Sequence, residues 1–523
     1  MRLGESLLPI KNIVEDLAGS VVKLFTIAVP AVRARRRRQL FVGSVSACAV
    51  LGGCAVGPNF HSPPPPPSEH YTPAPEPQVT AEAPTRGGAA QRFVTGRDIP
   101  ADWWSLFESA PLDELVRRSL RDSPTIDAAK ASLRSAQATY LAERGALLLP
   151  LVDAQAGVTR ERVPGAAFGQ PGVPASVFTL YNASVAVSYR LDLFGASRRQ
   201  VESLRAQADY QRWELEAANL TLTGNVVTTA IAAASLRAQI AAVNDIVRSE
   251  QEQLRVVEKQ FDAGAAARAD VLSQRAQLAQ AQAVLPDLEK VLAASGHRLA
   301  VLTGRTPDTG DLPEFTFDGL TLPTELPLSV PAKLVLQRPD IQAAEALVHQ
   351  ASAALGVATA NLFPQITLTG MIGSESVTAG DLFGPGSGTW NAGASLLQPL
   401  FHGGELRYKR QAAVADLDRA LASYRETVLE ALQQVADTLR ALEADARSLR
   451  AQLESERAAS DALDIAQKQF HAGGISYVTV LNAQRQYLQA RQSRAQAQGA
   501  RYADSAALVQ ALGGGWWNRK KEE

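Results

Sequence analysis

Histidine and cysteine carry the chemistry to be looked for first. Six histidines (His61, His70, His297, His349, His402 and His471) stand singly along 523 residues. No HExxH, no GxxxxGK followed by Ser or Thr, and no GxSxG occurs. Nucleophile, base and metal ligands are not gathered in any pattern that catalysis needs, so the reading is of a protein that is not an enzyme and uses no metal or cofactor. Both cysteines, Cys48 and Cys54, lie within seven positions near the start, which leaves no disulfide framework for the body of the chain. One thiol reaction remains plausible on position alone: acylation of Cys54, which ends a short apolar run.

That run follows RARRRR (33–38) and reads LFVGSVSACAVL. At a dozen residues it is too short for a spanning helix of about 20. A basic segment, an apolar segment and small residues before a cut make a secretory signal over 1–53. Leu51-Gly52-Gly53-Cys54 resembles a bacterial lipobox, in which the cysteine is lipidated and becomes the new N-terminus. Gly52 stands where Ala, Ser or Thr is commoner. Ala55 in place of Asp favours the outer membrane. The 31 residues ahead of Val32 are unusual for a signal, and the second methionine is Met371, so translation is expected to start at Val32. Residues 54–100 then read as a lipidated N-terminus and Pro-rich linker, an extended spacer with no core of its own.

Net charge is −1, but it is unevenly spread. Residues 1–53 hold eight Lys/Arg against three Asp/Glu, and the rest holds 44 against 50. No basic surface is left for nucleic acid. Aromatics make only 6%, and Ala, Gln, Leu and Arg dominate, a composition that favours helix.

The elements that this composition builds come twice. SPTIDAAKA (123–131) matches RPDIQAAEA (338–346), Asn182 falls on Asn391, and FDAG (261–264) matches FHAG (470–473), at offsets of 215, 209 and 209. The period is too long for a solenoid and indicates a duplicated domain: repeat 1 over 101–322, repeat 2 over 323–515, and a C-terminal tail over 516–523. Each repeat opens with a helix (125–148; 340–362). Each continues with two alternating segments read as strands (about 150–161 and 177–193; about 364–373 and 389–400) around a Gly/Pro-rich loop. In the second strand Val185, Val187, Tyr189, Leu191 and Leu193 alternate with Ala186, Ser188, Arg190 and Asp192. The first set is expected to face lipid. Ser188, Arg190 and Asp192 are expected to face a water-filled lumen, with Gly195 as the joint to the next helix.

Each repeat ends in two long helices, 196–262 with 268–303 and 405–472 with 476–512. Leu236, Ile240, Val243, Val247, Leu254, Val257 and Phe261 step by three and four or multiples of that spacing, as do Leu432, Val435, Leu439 and Leu442, which gives a seam for left-handed coiled packing. A 67-residue helix is a rod of about 100 Å. Gly264 and Gly473 stop the rods where a reversal is expected. The four alternating segments suit membrane strands, which need about 9–11 residues. A sheet in lipid must close, and single-chain barrels begin at about eight strands, so four strands demand partner copies.

The ordered set C54-AVGPNF, DWW-S-LF (102–107), LDELVRRSLRDSPTIDAAKASLRSA (112–136), RPDIQAAEA, LLQPLFHGGELR (396–407), GISYVTVLNAQRQYL (474–488) and LGGGW (512–516) spans the mature chain. It is similar to the TolC-like family of outer-membrane efflux proteins, in its lipoprotein (NodT/OprM-type) branch. The resemblance implies a mainly α fold with membrane β. Four strands per chain would contribute to a shared trimeric 12-stranded outer-membrane β-barrel, continuous with a long periplasmic α-helical barrel. It also implies a homotrimer acting as the exit duct of a tripartite efflux pump, in contact with outer-membrane lipid. The implied partners are a periplasmic adaptor (membrane fusion) protein and an inner-membrane transporter of the resistance-nodulation-division type. By motif match the periplasmic aperture falls on Val478, Asn482 and Arg485, and the adaptor-docking helix turns on Gly264, Asp270, Gly473 and Gly474. The family commonly has an acid where Asn482 stands and often another near Thr479, so this aperture is expected to be less cation-selective. A duct for protein secretion and a structural periplasmic coiled-coil lipoprotein are the alternatives; the latter would need no strands.

Overall fold

The computed structural model describes residues 55–519 apart from 69, 74–77, 170, 309 and the side chain of His471. The signal segment, Cys54 and 520–523 lie outside the described residues. Two rods dominate: α3 (Ala196–Asp262) with its return helix α4 (Arg268–Leu302), and α7 (Glu405–His471) with α8 (Tyr477–Ala511). The expected bounds are met within a residue. Two shorter helices, α2 (Pro124–Leu148) and α6 (Pro339–Ala360), begin on a proline, whose fixed φ suits a first turn. Helix α1 (Ala110–Asp122) precedes α2, and α5 (Pro331–Gln337) precedes α6.

Helix α3 packs against α2 and α6 along one part of its length and against α4 and α8 along the rest. Helix α3 is long and apolar enough to cross a membrane by length and composition, but its Val226, Val227, Ala230 and Ile231 are buried in the protein core. Each return helix ends where a short helix of the same repeat begins. Gly304, just past α4, lies so near Asp122 that a Cβ there would sit 2.2 Å from its carbonyl oxygen. Gly513, just past α8, stands in the same relation to Gln337, at 2.5 Å. The two junctions are 209 and 215 residues apart in sequence, the offsets of the internal repeat. Arg338 closes the second one, donating from Nη1 to the Ala511 carbonyl at 3.0 Å.

The larger sheet contains β2 (Leu151–Val163), β3 (Ser176–Leu191), β5 (Gln365–Ser376) and β6 (Gly388–Leu397), all antiparallel, in the order β2-β3-β5-β6. Its register aligns the alternation of every strand. Val185 pairs with Ala154 and Ile372, Val187 with Val152 and Gly370, Tyr189 with Leu368, and Ile372 in turn with Trp390. One face is thus apolar from edge to edge, with Val152, Val158, Ile372, Trp390 and Leu396 all exposed. The other carries Asp153, Gln155, Ser184, Ser188, Thr367, Thr369 and Asn391. A one-residue slip in any strand would break this segregation.

Four expectations are corrected. A second sheet exists, in which β1 (Arg92–Thr95) runs parallel to β4 (Glu325–Leu328). The linker therefore does not remain a bare spacer. Past its prolines it buries Ala83, and it places Phe93 and Ile99 in the main core with Trp103 and Phe107. Earlier, 55–62 lies along α3 and α6: Val56 N–H donates to the Phe194 carbonyl at 3.1 Å, Arg199 Nη2 to Asn59 Oδ1 at 2.6 Å, and Phe60 stacks on His349 at 4.3 Å. The C-terminal segment is tied down too, Trp516 Nε1 donating to the Gln337 carbonyl and Asn518 Nδ2 to that of Ile99. Lastly, β3 ends at Leu191, so Asp192 and Leu193 leave the alternation. Asp192 turns to the start of α3 and accepts from the backbone N–H groups of Ser197 (3.0 Å) and Arg198 (2.9 Å). A carboxylate satisfies free N–H donors at a helix N-terminus and complements its dipole.

Candidate functional site

The far ends of the two rods are built alike. After α3, Gly264 (φ 79°) reverses the chain, its N–H bonded to the Phe261 carbonyl at 2.9 Å and that of Ala265 to Gln260 at 2.7 Å. After α7, Gly473 (φ 75°) does the same, with bonds to Phe470 at 2.9 Å and from Gly474 to Gln469 at 2.8 Å. Left-handed φ at both positions is the reason for glycine. Asp270 of the first turn is not a free charge: its Oδ2 accepts from Ala267 N–H at 3.0 Å and caps α4. Gly474 serves the second turn through its N–H.

Val257, Val271, Ala466, Tyr477, Val480 and Leu481 form a small core just behind the turns, drawing on all four long helices. Beside it lies a buried polar chain. The Gln274 amide donates to the Glu250 carbonyl (3.1 Å) and to its carboxylate Oε2 (2.5 Å), and Tyr477 Oη donates to Gln274 Oε1. Gln274 is fully buried and Glu250 5% exposed. Burial raises the Glu250 carboxyl above its usual range, against the amide bond that lowers it. Burial likewise pushes the Tyr477 phenol well up, with Glu250 adding to the effect. Gln484 bonds Gln253 across the same interface, and two ion pairs follow upward: Arg491 with Asp245 and Arg494 with Glu456. These residues were not anticipated. Their signal was present, since Glu250 holds the seam slot between Val247 and Leu254, and Gln274 the slot before Leu278.

The expected aperture residues share one face of α8. Val478 is 54% exposed, Asn482 and Arg485 are exposed, and Arg485 Nη2 donates to Asn482 Oδ1 at 3.0 Å. The opposite face of the helix buries Tyr477, Val480, Leu481 and Gln484. Cys54 falls outside the described residues; Ala55 lies so near Gly195, the joint after β3, that a Cβ on Gly195 would come within 2.8 Å of it. Near that joint Phe194 and Phe363 stack at 4.8 Å. Among the described residues no group of His, Cys, Asp and Glu comes together as a metal site.

Comparison with known proteins accounts for this architecture. Residues 115–305 and 330–514 match the family model for outer membrane efflux proteins, one span in each repeat. The chain is 32% identical over 485 residues to the pyoverdine export outer membrane protein OpmQ of Pseudomonas aeruginosa, covering 90% of this chain and 96% of that one. It is 28% identical over 473 residues to the toluene efflux pump outer membrane protein TtgC of Pseudomonas putida, covering 90% and 94%. The structure of the outer-membrane channel OprN superposes with a TM-score of 0.79 at 27% identity, over 88% of this chain and 100% of that one. That of VceC from Vibrio cholerae superposes with a TM-score of 0.74 at 26% identity, over 80% and 99%. The chain thus belongs to the outer membrane efflux protein family, as an outer-membrane channel with the duplicated fold of four sheet strands and two pairs of long α-helical rods.

Proposed function

We propose that three copies of this chain close one 12-stranded barrel in the outer membrane and serve as the exit duct of a tripartite efflux pump for small molecules. The observation that carries this reading is the membrane sheet, apolar across one face and with a free edge at β2 and another at β6. In lipid such edges need partners, and β6 of one copy meets β2 of the next. The rods then line up as a periplasmic α-barrel. Cys54 carries the lipid anchor, and the docking of 55–62 alongside Phe194 supports entry of its acyl chains at the level of the barrel's inner rim. Val478, Asn482 and Arg485 line the periplasmic aperture. The turns at Gly264 and Gly473 meet a periplasmic adaptor, and a resistance-nodulation-division transporter in the inner membrane supplies the energy. The duct itself performs no chemistry.

Planar lipid bilayers test the reading. Purified trimer should insert with discrete conductance steps. Trimer that binds membranes but never conducts would identify the protein as a structural spacer instead.

A further inference from the structure

Helix α8 is unusual in its charge. From Tyr477 to Ala503 it holds four arginines, Arg485, Arg491, Arg494 and Arg501, and no acid; Asp504 is the first. Three of the four are accounted for inside the fold. Arg491 pairs with Asp245 of α3 and Arg494 with Glu456 of α7. Arg501 is fully buried and donates to Thr80 Oγ1 and the Ala89 carbonyl. Arg485 differs. Its guanidinium is exposed, its hydrogen bond goes to the neutral amide of Asn482, and among the described residues no carboxylate pairs with it.

The surroundings keep that charge uncompensated. Val478, Asn482, Arg485, Gln489, Gln496 and Ala500 step along one exposed stripe of α8 in intervals of three, four and seven, apolar or amide apart from Arg485. Asn482 Oδ1 accepts from Arg485, and the amide NH2 remains as a further donor beside the guanidinium. Guanidinium donors match carboxylate and phosphate oxygens in geometry as well as sign. Rings of arginine or lysine select for anions in pores, as rings of carboxylates select for cations.

We infer that Arg485 and Asn482 form an anion-accepting collar: three guanidinium groups and three amide NH2 groups around the channel axis. It passes small anionic solutes, those bearing carboxylate, phosphonate or sulfonate groups, in preference to cations. The inference rests on the assignment of this face to the aperture, which the experiment tests separately.

Reversal potentials of purified trimer in bilayers under a KCl gradient measure the permeability ratio of chloride to potassium. Wild type should show a ratio above one. Arg485→Gln and Asn482→Asp should each lower it at least threefold, and Arg485→Lys should leave it above one. Citrate on the periplasmic side should block wild-type current at concentrations at least tenfold below those needed for Arg485→Gln. A wild-type ratio below one, or a ratio unmoved by Arg485→Gln, overturns the collar. Arg485→Cys treated with a cationic methanethiosulfonate separates the two failures, with treated wild type as the control. If modification leaves conductance unchanged, Arg485 is outside the lumen and the aperture assignment is wrong. If conductance falls while Arg485→Gln has normal selectivity, the assignment stands and the collar is refuted.

Discussion

A charge placed on adjacent residues of β3 should have opposite consequences. Val187 lies on the apolar face, paired with Val152 and Gly370, and is 39% exposed in the single chain. Ser188 lies on the polar face, paired with Leu151 and Thr369. Val187 is four residues above the inner end of the strand at Leu191. At about 3.3 Å per residue and a tilt near 40°, that places it about 10 Å into an apolar band about 25 Å tall. It is therefore close to mid-depth, where arginine on the lipid face costs about 2–4 kcal/mol. Three copies multiply the penalty to roughly 6–12 kcal/mol per trimer, of the order of the whole stability of a typical domain. Val187→Arg should leave little SDS-resistant trimer in outer-membrane fractions, and Ser188→Arg should assemble at close to the wild-type level. Equal damage by the two substitutions, or normal assembly of Val187→Arg, would refute the assignment of faces.

Two further predictions concern groups buried between helices. Asp445 of α7 and Asp504 of α8 are partly buried neighbours; burial, reinforced by its neighbour's charge, pushes the Asp504 carboxyl up to about 7, and Asp445 moves up as well. An unfolded aspartate titrates near 3.9, so the folded state holds a proton that the unfolded state releases between those values. Stability falls as pH rises through that window, and the full penalty is present above it. Asp504→Asn should raise the thermal midpoint in detergent at pH 8 and leave it unchanged at pH 4; a gain that is the same at both would refute the raised Asp504 carboxyl. In the tip network, Gln274→Leu strands the buried Glu250 without its donor and should destabilise by about 2–3 kcal/mol. Gln274→Leu combined with Glu250→Leu should recover most of that in the same thermal assay, and failure to recover would show that the polar pair is needed for packing.

The rods were legible because a 3.5-residue seam is a local pattern, repeated over dozens of residues, and their ends carry glycines whose backbone need is also local. The membrane strands were legible for the same reason, since two-residue alternation survives whatever the neighbours are. What escaped is what depends on distant partners. Strand β1 is four residues long and exists only because β4, more than 200 positions away, offers a parallel edge. The segment at 78–99 looked like a continuation of the proline spacer, and its Phe93 gave no hint of the core it joins. Asp192 shows the limit of periodicity: it kept the alternation to its last residue, but a nearby helix N-terminus claimed the carboxylate. Glu250 and Gln274 each put a polar side chain among apolar helix positions, and only the fold reveals that the two meet. The aperture proposed at Val478, Asn482 and Arg485 rests on motif, not on periodicity, and the lack of an acid at Asn482 is visible in the sequence.

The end-to-end helix junctions at Gly304 and Gly513 divide each repeat into two parts that can vary in length independently. Nearer the turns, past the segments that pack on Arg237 and Arg501, each repeat continues as a hairpin of α3 with α4 or of α7 with α8. A heptad inserted into both arms of a hairpin, opposite one another, would keep the seam in phase and lengthen it by about 10 Å, without touching the sheet, the short helices or the core around Trp103. Both hairpins must grow together for their tips to stay level. Such a body works as a telescoping ruler: its span toward the inner membrane can be reset by paired insertions, with the part that sits in lipid left as it was.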